Sequence, residues 1–278
     1  MVRVNYSERQ YEQLFNTELV TSYGVDPRVT IPSQREEHDL GYDAKHVVLP
    51  EFINSMNGTG TITATNTRCV TCNQFHNNIN NIPNTYSANL FIQFKKPEYL
   101  TTSQSKQYYI FQNSYYRYTL YQEQLNTLLG LNNSLINDNT PAKIIYASPA
   151  ASDLDELHEQ ATQREVVEKS SIAEVSTLVG HNHVAYRDNT MYVGCSEPQE
   201  YNSKTLKKHL ERIETETNLN ETYKSMEVFL EKYDNLSYSF YKKHISAVNE
   251  LELSPKEKQI FSIEWIANYL GVKWTIIT

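Results

Sequence analysis

The sequence predicts a mixed α/β (α+β) fold, a sheet flanked by helices that carries a mostly helical C-terminal extension, and three observations lead there. Within the first 150 residues the apolar pattern runs helix, strand, strand, helix, strand. Beyond residue 203 the periodicity turns almost wholly helical and charged. The composition, 39% hydrophobic and 21% charged with 8 Gly and 9 Pro in 278 residues, supports a buried core and excludes collagen-like, fibrous and wholly disordered classes. The division expected is a core over residues 1–200, with an insertion at about 54–87, and an extension over 201–278.

Ser7 followed by Glu8 opens a helix over residues 7–21, where Tyr11, Leu14, Phe15 and Leu19 recur at helical spacing with Glu18 on or beside the apolar face. Residues 23–27, YGVDP, mark a turn, and the polar stretch from Ser33 to Asp39 reads as outside the core. LGYDAKHVVLP, residues 40–50, ends in β-branched residues and a proline, which predicts a strand. The weakly periodic stretch from Asn54 to Ser87 reads as an insertion or extended hairpin between two core strands. ANLFIQFKKPEYL holds the clearest strand, ended by Pro97. Its alternation sets Leu90, Ile92 and Phe94 on one face and Phe91, Gln93 and Lys95 on the other.

An aromatic run over 108–120 leads into a helix through Gln122, Leu125, Leu128 and Leu129, with Gly130 as its expected end. AKIIYASPA, residues 142–150, is a strand, and Ser152 or Asp153 caps the helix after it. Residues 183–195 predict a hairpin turning at Asp188-Asn189. SKTLKKHLERIETE, ETYKSMEVFLEKYDNLSYSFYKKHISAV and SPKEKQIFSIEWIANYLG predict helices, and VKWTII a final strand.

No stretch approaches the roughly 18 apolar residues of a spanning helix, and the first residues have neither an apolar signal region nor a cleavage site, so a cytoplasmic protein without membrane contact is expected. Three scattered cysteines fit a reducing compartment. The net charge of -8 opposes nonspecific wrapping by nucleic acid while leaving room for a local basic groove. The 21 tyrosines read as a compositional bias. Neither GxxxxGK nor GxGxxG occurs, which argues against an ATPase or a dinucleotide enzyme.

Three separated pieces could carry chemistry together: Glu18 on the first helix, Asp43 in LGYDA, and Gln93-Phe94-Lys95 in the clearest strand. Metal-assisted phosphodiester hydrolysis needs oxygen ligands for a divalent ion and a cation near the attacking water or the developing charge. Asp43 is the expected principal carboxylate ligand for Mg²⁺ or Mn²⁺, Glu18 a second and Gln93 a side-chain carbonyl ligand. Lys95, two residues along the same strand face, would meet the nucleophile or the phosphate. The ordinary alternative puts Gln93 and Lys95 on a solvated sheet face, with Asp43 a strand-end cap and Glu18 a helix-surface acid.

In these residues and their order the sequence resembles the restriction-endonuclease-like, PD-(D/E)XK nuclease superfamily, with QFK similar to its Gln-x-Lys variant. The strings SQREEHDLGYDAKH, LFIQFKKPEYL, SYYRYTLYQEQL and IIYASPA also resemble a bacterial family linked to anti-phage defence loci, over about residues 5–200. The resemblance implies a restriction-endonuclease-like sheet, hydrolysis of DNA, and control by a regulatory protein partner, by self-oligomerisation or by a sensed phage component. The chain departs from the motif in having Tyr42 before Asp43, a long gap to Gln93, and Gln for Glu, which removes one negative charge from the site. The rival expectation is a noncatalytic nucleic-acid-binding or protein-interaction subunit on the same scaffold.

Further contacts to nucleic acid are expected from Lys96, from Tyr116 and Arg117 in SYYRYT, from Gln122 at the start of the next helix, and from Arg187. Core packing of alternate tyrosines is the other reading of that run. Cys69-x-x-Cys72 with His76 resembles a partial zinc site whose fourth ligand, Cys195 or His46, would have to come from folding. A loop with free thiols is the plainer reading.

Overall fold

Ser7 caps the first helix as its residue type predicts. Its Oγ accepts the Gln10 N–H at 3.1 Å, and Gln10 Oε1 accepts the Ser7 N–H at 2.8 Å, a reciprocal cap that satisfies two backbone donors. The computed structural model describes residues 2–23, 85–203, 205–210, 215–233, 235–250 and 253–277. The strand expected at 40–50, almost all of the insertion expected at about 54–87, and with them Asp43, His46, Cys69, Cys72 and His76, lie outside the described residues.

In chain order the elements are β1 (Val2–Arg3), α1 (Glu8–Tyr23), β2 (Ala88–Phe94), β3 (Glu98–Leu100), the short α2 (Tyr108–Phe111) and β4 (Tyr115–Thr119). They continue with α3 (Gln122–Asn137), β5 (Ala142–Pro149), α4 (Leu154–Gln163), β6 (Ser170–Glu174), β7 (His183–Tyr186), β8 (Met191–Gly194) and β9 (Gln199–Asn202). Then come α5 (Leu206–Leu210), α6 (Leu219–Tyr233), α7 (Asn235–Glu250), α8 (Pro255–Tyr269) and β10 (Lys273–Ile277). Among the described residues this is a mixed α/β architecture of two sheets and eight α-helices. Contacts divide it into one unit of residues 2–23, 86–217 and 267–277 and another of residues 218–266.

The first unit holds both sheets. The four-stranded one has the order β10-β2-β5-β6, with β2 parallel to β5 and both edge strands antiparallel to their neighbours. A parallel pair requires a crossover, and α3 lies in the connection between β2 and β5. Leu90, Ile92 and Phe94 on one face of β2 share a core cluster with Tyr11, Phe15 and Leu19 of α1. The rings of Tyr11, Phe15 and Phe94 meet edge to face with centroids 5.3 to 5.7 Å apart.

The six-stranded sheet, β1-β3-β4-β7-β8-β9, is antiparallel throughout. The expected 183–195 hairpin is β7–β8, and Asp188 Oδ1 accepts the Thr190 N–H at 2.9 Å in its turn. Tyrosines link the two sheets: Tyr118 of β4 stacks on Tyr146 of β5 at 6.2 Å. The Tyr186 hydroxyl lies 2.7 Å from Ser148 Oγ and 2.8 Å from the Pro149 carbonyl. The tyrosine excess is therefore in part core material, with the phenols of Tyr118, Tyr146 and Tyr186 pushed up in pKa by burial and so kept protonated.

Gly130 does not end α3, contrary to expectation. Leu131 and Leu135 continue the buried stripe, so packing holds the helix past the glycine. The end comes at Asn139, φ +54, where the Asn139 N–H reaches the Ile136 carbonyl at 3.0 Å and the Thr140 N–H the Leu135 carbonyl at 2.8 Å.

In the second unit, Ser254 and Glu257 cap α8 reciprocally, at 2.6 and 3.3 Å. Trp265 packs against Tyr241 at 5.7 Å and against His244 at 5.2 Å, and burial lowers the His244 pKa to about 4, leaving a neutral imidazole.

Candidate functional site

Period-two alternation sends Asn89, Phe91 and Gln93 to the face of β2 opposite the α1 cluster, and Tyr146, in register with Gln93 on parallel β5, joins that face. Lys95 follows one residue after β2. Its N–H donates to the Ala147 carbonyl at 2.9 Å, and its own carbonyl accepts the Ser148 hydroxyl at 2.9 Å, so the backbone stays in register with β5.

The two side chains meet through a third residue. Lys95 Nζ donates to Gln124 Oε1 at 2.9 Å, Gln124 Nε2 donates to Gln93 Oε1 at 2.7 Å, and Gln93 Nε2 donates to the Phe94 carbonyl at 3.0 Å. Lys95 is only 8% exposed, its ammonium 5.4 Å from the ring centroid of Tyr121 and 5.6 Å from that of Tyr146. Burial lowers the Lys95 pKa, against the opposing pull of Glu8. Gly271 leaves the space this chain of amides needs. It sits at φ +72 in the turn after α8, and a Cβ there would stand 3.0 Å from Gln124 Nε2 and 3.5 Å from Gln93 Oε1. Gly271→Ala is therefore expected to cost about 1–3 kcal/mol through backbone strain and crowding, read as a lower urea midpoint. An unchanged midpoint would mean that the turn and Gln124 yield freely.

The helix acid brought to Lys95 is Glu8 and not Glu18. Glu8 Oε2 accepts the Lys96 N–H at 3.1 Å. Burial raises its pKa, the Lys95 charge and the Lys96 N–H lower it, and neighbouring Glu12, which pairs with Lys273 at 3.4 Å, raises it again. Glu18 lies ten residues further along α1, about 15 Å of helix. It is 6% exposed, and its Oε2 accepts the Val166 N–H at 2.7 Å in the segment after α4. Burial raises its pKa, and the Val167 and Val166 amides pull it down, the arrangement of a carboxylate that caps buried backbone. Helix α1 covers the Leu90 face of β2, so the expected meeting of Glu18 with Gln93 does not occur.

The other expected contacts are dispersed. Gln122 Nε2 donates to the His181 carbonyl at 2.7 Å, and the helix glutamine that reaches Lys95 is Gln124, two residues on. Tyr116 is buried with its ring stacked on Tyr99 at 4.9 Å and Tyr186 at 5.5 Å, which commits it to the sheet interior rather than to a base. Arg117 Nη2 pairs with Glu98 at 2.8 Å, its cross-strand partner. Arg187 is exposed beside Asp188 at 3.7 Å, and the Lys96 side chain is exposed.

Burial pushes the Cys195 thiol up to about 11, and its Sγ donates to the Val193 carbonyl at 3.4 Å. Among the described residues no group of three His, Cys, Asp or Glu side chains is placed to hold a metal ion. No described helix is long and apolar enough to cross a membrane. No family model, curated protein or solved structure matches the chain.

Proposed function

We propose that this chain is a cytoplasmic, metal-dependent nuclease of the restriction-endonuclease-like type that hydrolyses phosphodiester bonds of DNA as a regulated effector of bacterial anti-phage defence. The observation that carries the reading is the gathering of Gln93 and Lys95 around Gln124 on one face of the sheet, with Glu8 at its end. Gln93 Oε1 and the Glu8 carboxylate are hard oxygen donors of the kind Mg²⁺ and Mn²⁺ take, and Asp43, outside the described residues, would complete the set. Such an ion, when bound, lowers the pKa of water and offsets charge at the phosphorus.

The chain's own contribution centres on Lys95. Its ammonium is desolvated, and Gln124 Oε1, a neutral acceptor, takes one of its three N–H groups. The other two can donate to a phosphate oxygen or steady an attacking water, and a buried charge acts there with little screening. Gln124 fixes the direction of that donation because it is itself held by Gln93.

The noncatalytic reading draws on one observation: Gln124 already engages the Gln93 carbonyl oxygen and one N–H of Lys95, where no described carboxylate hydrogen-bonds to the ammonium. The test is cleavage of supercoiled plasmid and linear DNA with Mg²⁺ or Mn²⁺. The native protein is expected to cut, Lys95→Ala, Asp43→Ala and Glu8→Gln to lose cutting, and Glu18→Gln to keep it. Absence of cutting with DNA binding retained in all variants would favour the noncatalytic subunit.

A further inference from the structure

Tyr121 occupies the N-cap position of α3 without acting as a cap. Its backbone is extended, at φ -79 and ψ 118, its carbonyl accepts the Leu125 N–H at 2.9 Å, and its side chain makes no capping hydrogen bond. Serine, threonine, aspartate or asparagine there would satisfy a helix N–H, so the tyrosine forgoes a stabilising contact. It also leaves 67% of its surface in solvent, whereas Tyr118 and Leu120 just before it are buried. The ring lies 5.4 Å from Lys95 Nζ, a cation otherwise shut in by Tyr146 and Gln124. The site therefore joins an inner cation with free donors to an outer aromatic ring at a fixed helix start.

We infer that Tyr121 and Lys95 bind one nucleotide of a single strand or of a strand end, the ammonium on the phosphate and the ring against an unstacked base. This deepens the nuclease reading above and rests on it for the identity of the phosphate. A base inside a duplex has both faces covered by its neighbours, and only a single-stranded or terminal base offers a face to an exposed ring. One ring beside one cation thus selects unpaired strands over continuous duplex. Stacking on a single aromatic residue corresponds to about 5- to 150-fold in affinity.

The test is fluorescence anisotropy in Ca²⁺ with the full chain, using a labelled single-stranded oligonucleotide and a covalently closed dumbbell duplex that has no ends. The native protein is expected to prefer the single strand. Tyr121→Ala should lose about 5- to 150-fold on it and little on the dumbbell, and Tyr121→Trp should retain binding. A surface residue of this kind is not expected to alter folding, which thermal melting of both variants checks. Equal single-strand affinity in Tyr121→Ala, or a native preference for the dumbbell, would overturn the inference. Cleavage with Mg²⁺ or Mn²⁺ separates the two claims. Single-strand binding through Tyr121 without any cutting leaves the nucleotide site standing and removes the nuclease, whereas cutting with Tyr121→Ala indistinguishable from native does the reverse.

Discussion

Lys95→Met is expected to yield a protein that is more stable than the native chain and cuts DNA at least about 100-fold more slowly. The methionine keeps the volume of the buried stem among Tyr121, Tyr146 and Gln124 while removing a charge whose burial opposes folding. Gln124 loses its donor, but it is only half-buried and water can replace the ammonium. A gain of about 1–2 kcal/mol at pH 7 follows.

The pH dependence carries a sign. Lys95 has a lower pKa folded than its ordinary 10.5, so between those two values the unfolded chain binds more protons and native stability rises with pH. The advantage of Lys95→Met should thus be greatest at neutral pH and shrink as pH climbs toward 10.5. Urea midpoints of both proteins across that range measure it. A variant less stable than native at pH 7 would make the ammonium a structural group, and the functional reading of Lys95 would lose its basis.

Gly194→Ala should cost about 3 kcal/mol. A Cβ on Gly194 would stand 2.4 Å from His181 Cδ2 and 2.5 Å from its Nε2, closer than any real contact. The imidazole has little room to retreat. His181 is 5% exposed, its Nε2 lies 3.2 Å from the Tyr201 hydroxyl, and its carbonyl anchors Gln122. Tyr201 is stacked on Tyr192 at 5.1 Å, so the strain would spread into β8 and β9. In a double-mutant cycle, His181→Ala with Gly194→Ala should cost clearly less than the two single changes summed, since the smaller side chain removes the clash. Additive costs would show that the alanine disturbs the strand by another route.

Strong local periodicity made part of this architecture legible. The alternation of β2 placed Gln93 and Lys95 on one face, and the apolar spacing of α1 gathered Tyr11, Phe15 and Leu19 into one stripe, whose packing on the Leu90 face only the structure shows. The Asp188-Asn189 turn was equally readable. Which end of α1 stands beside Lys95 was not, because periodicity defines a face and leaves position along the axis open. Glu8 and Glu18 both border the apolar stripe, and packing alone selects Glu8.

The glutamine of α3 had a usable signal. Gln124 falls in step with Leu128, Leu131 and Leu135, whereas Gln122 lies about 200° around the helix from Gln124. The six-stranded sheet left fainter traces, since its strands are two to five residues long and pair across distant stretches of sequence.

The pairing of β10 with β2 has a consequence for the order of folding. Trp274 donates to Asn89 at 2.8 Å across a sequence separation of 185 residues. One of the two strands that flank β2 thus arrives only after a very long loop has closed, at an entropic cost that grows with the logarithm of its length and slows the search for contact. Helices α1 and α3 and the β7–β8 hairpin can form from local contacts well before that. The register of β10 stops at Ile92, however, so Gln93 and the amide chain joining it to Gln124 and Lys95 rest on the β2–β5 pair and α3, which close over far shorter stretches of sequence.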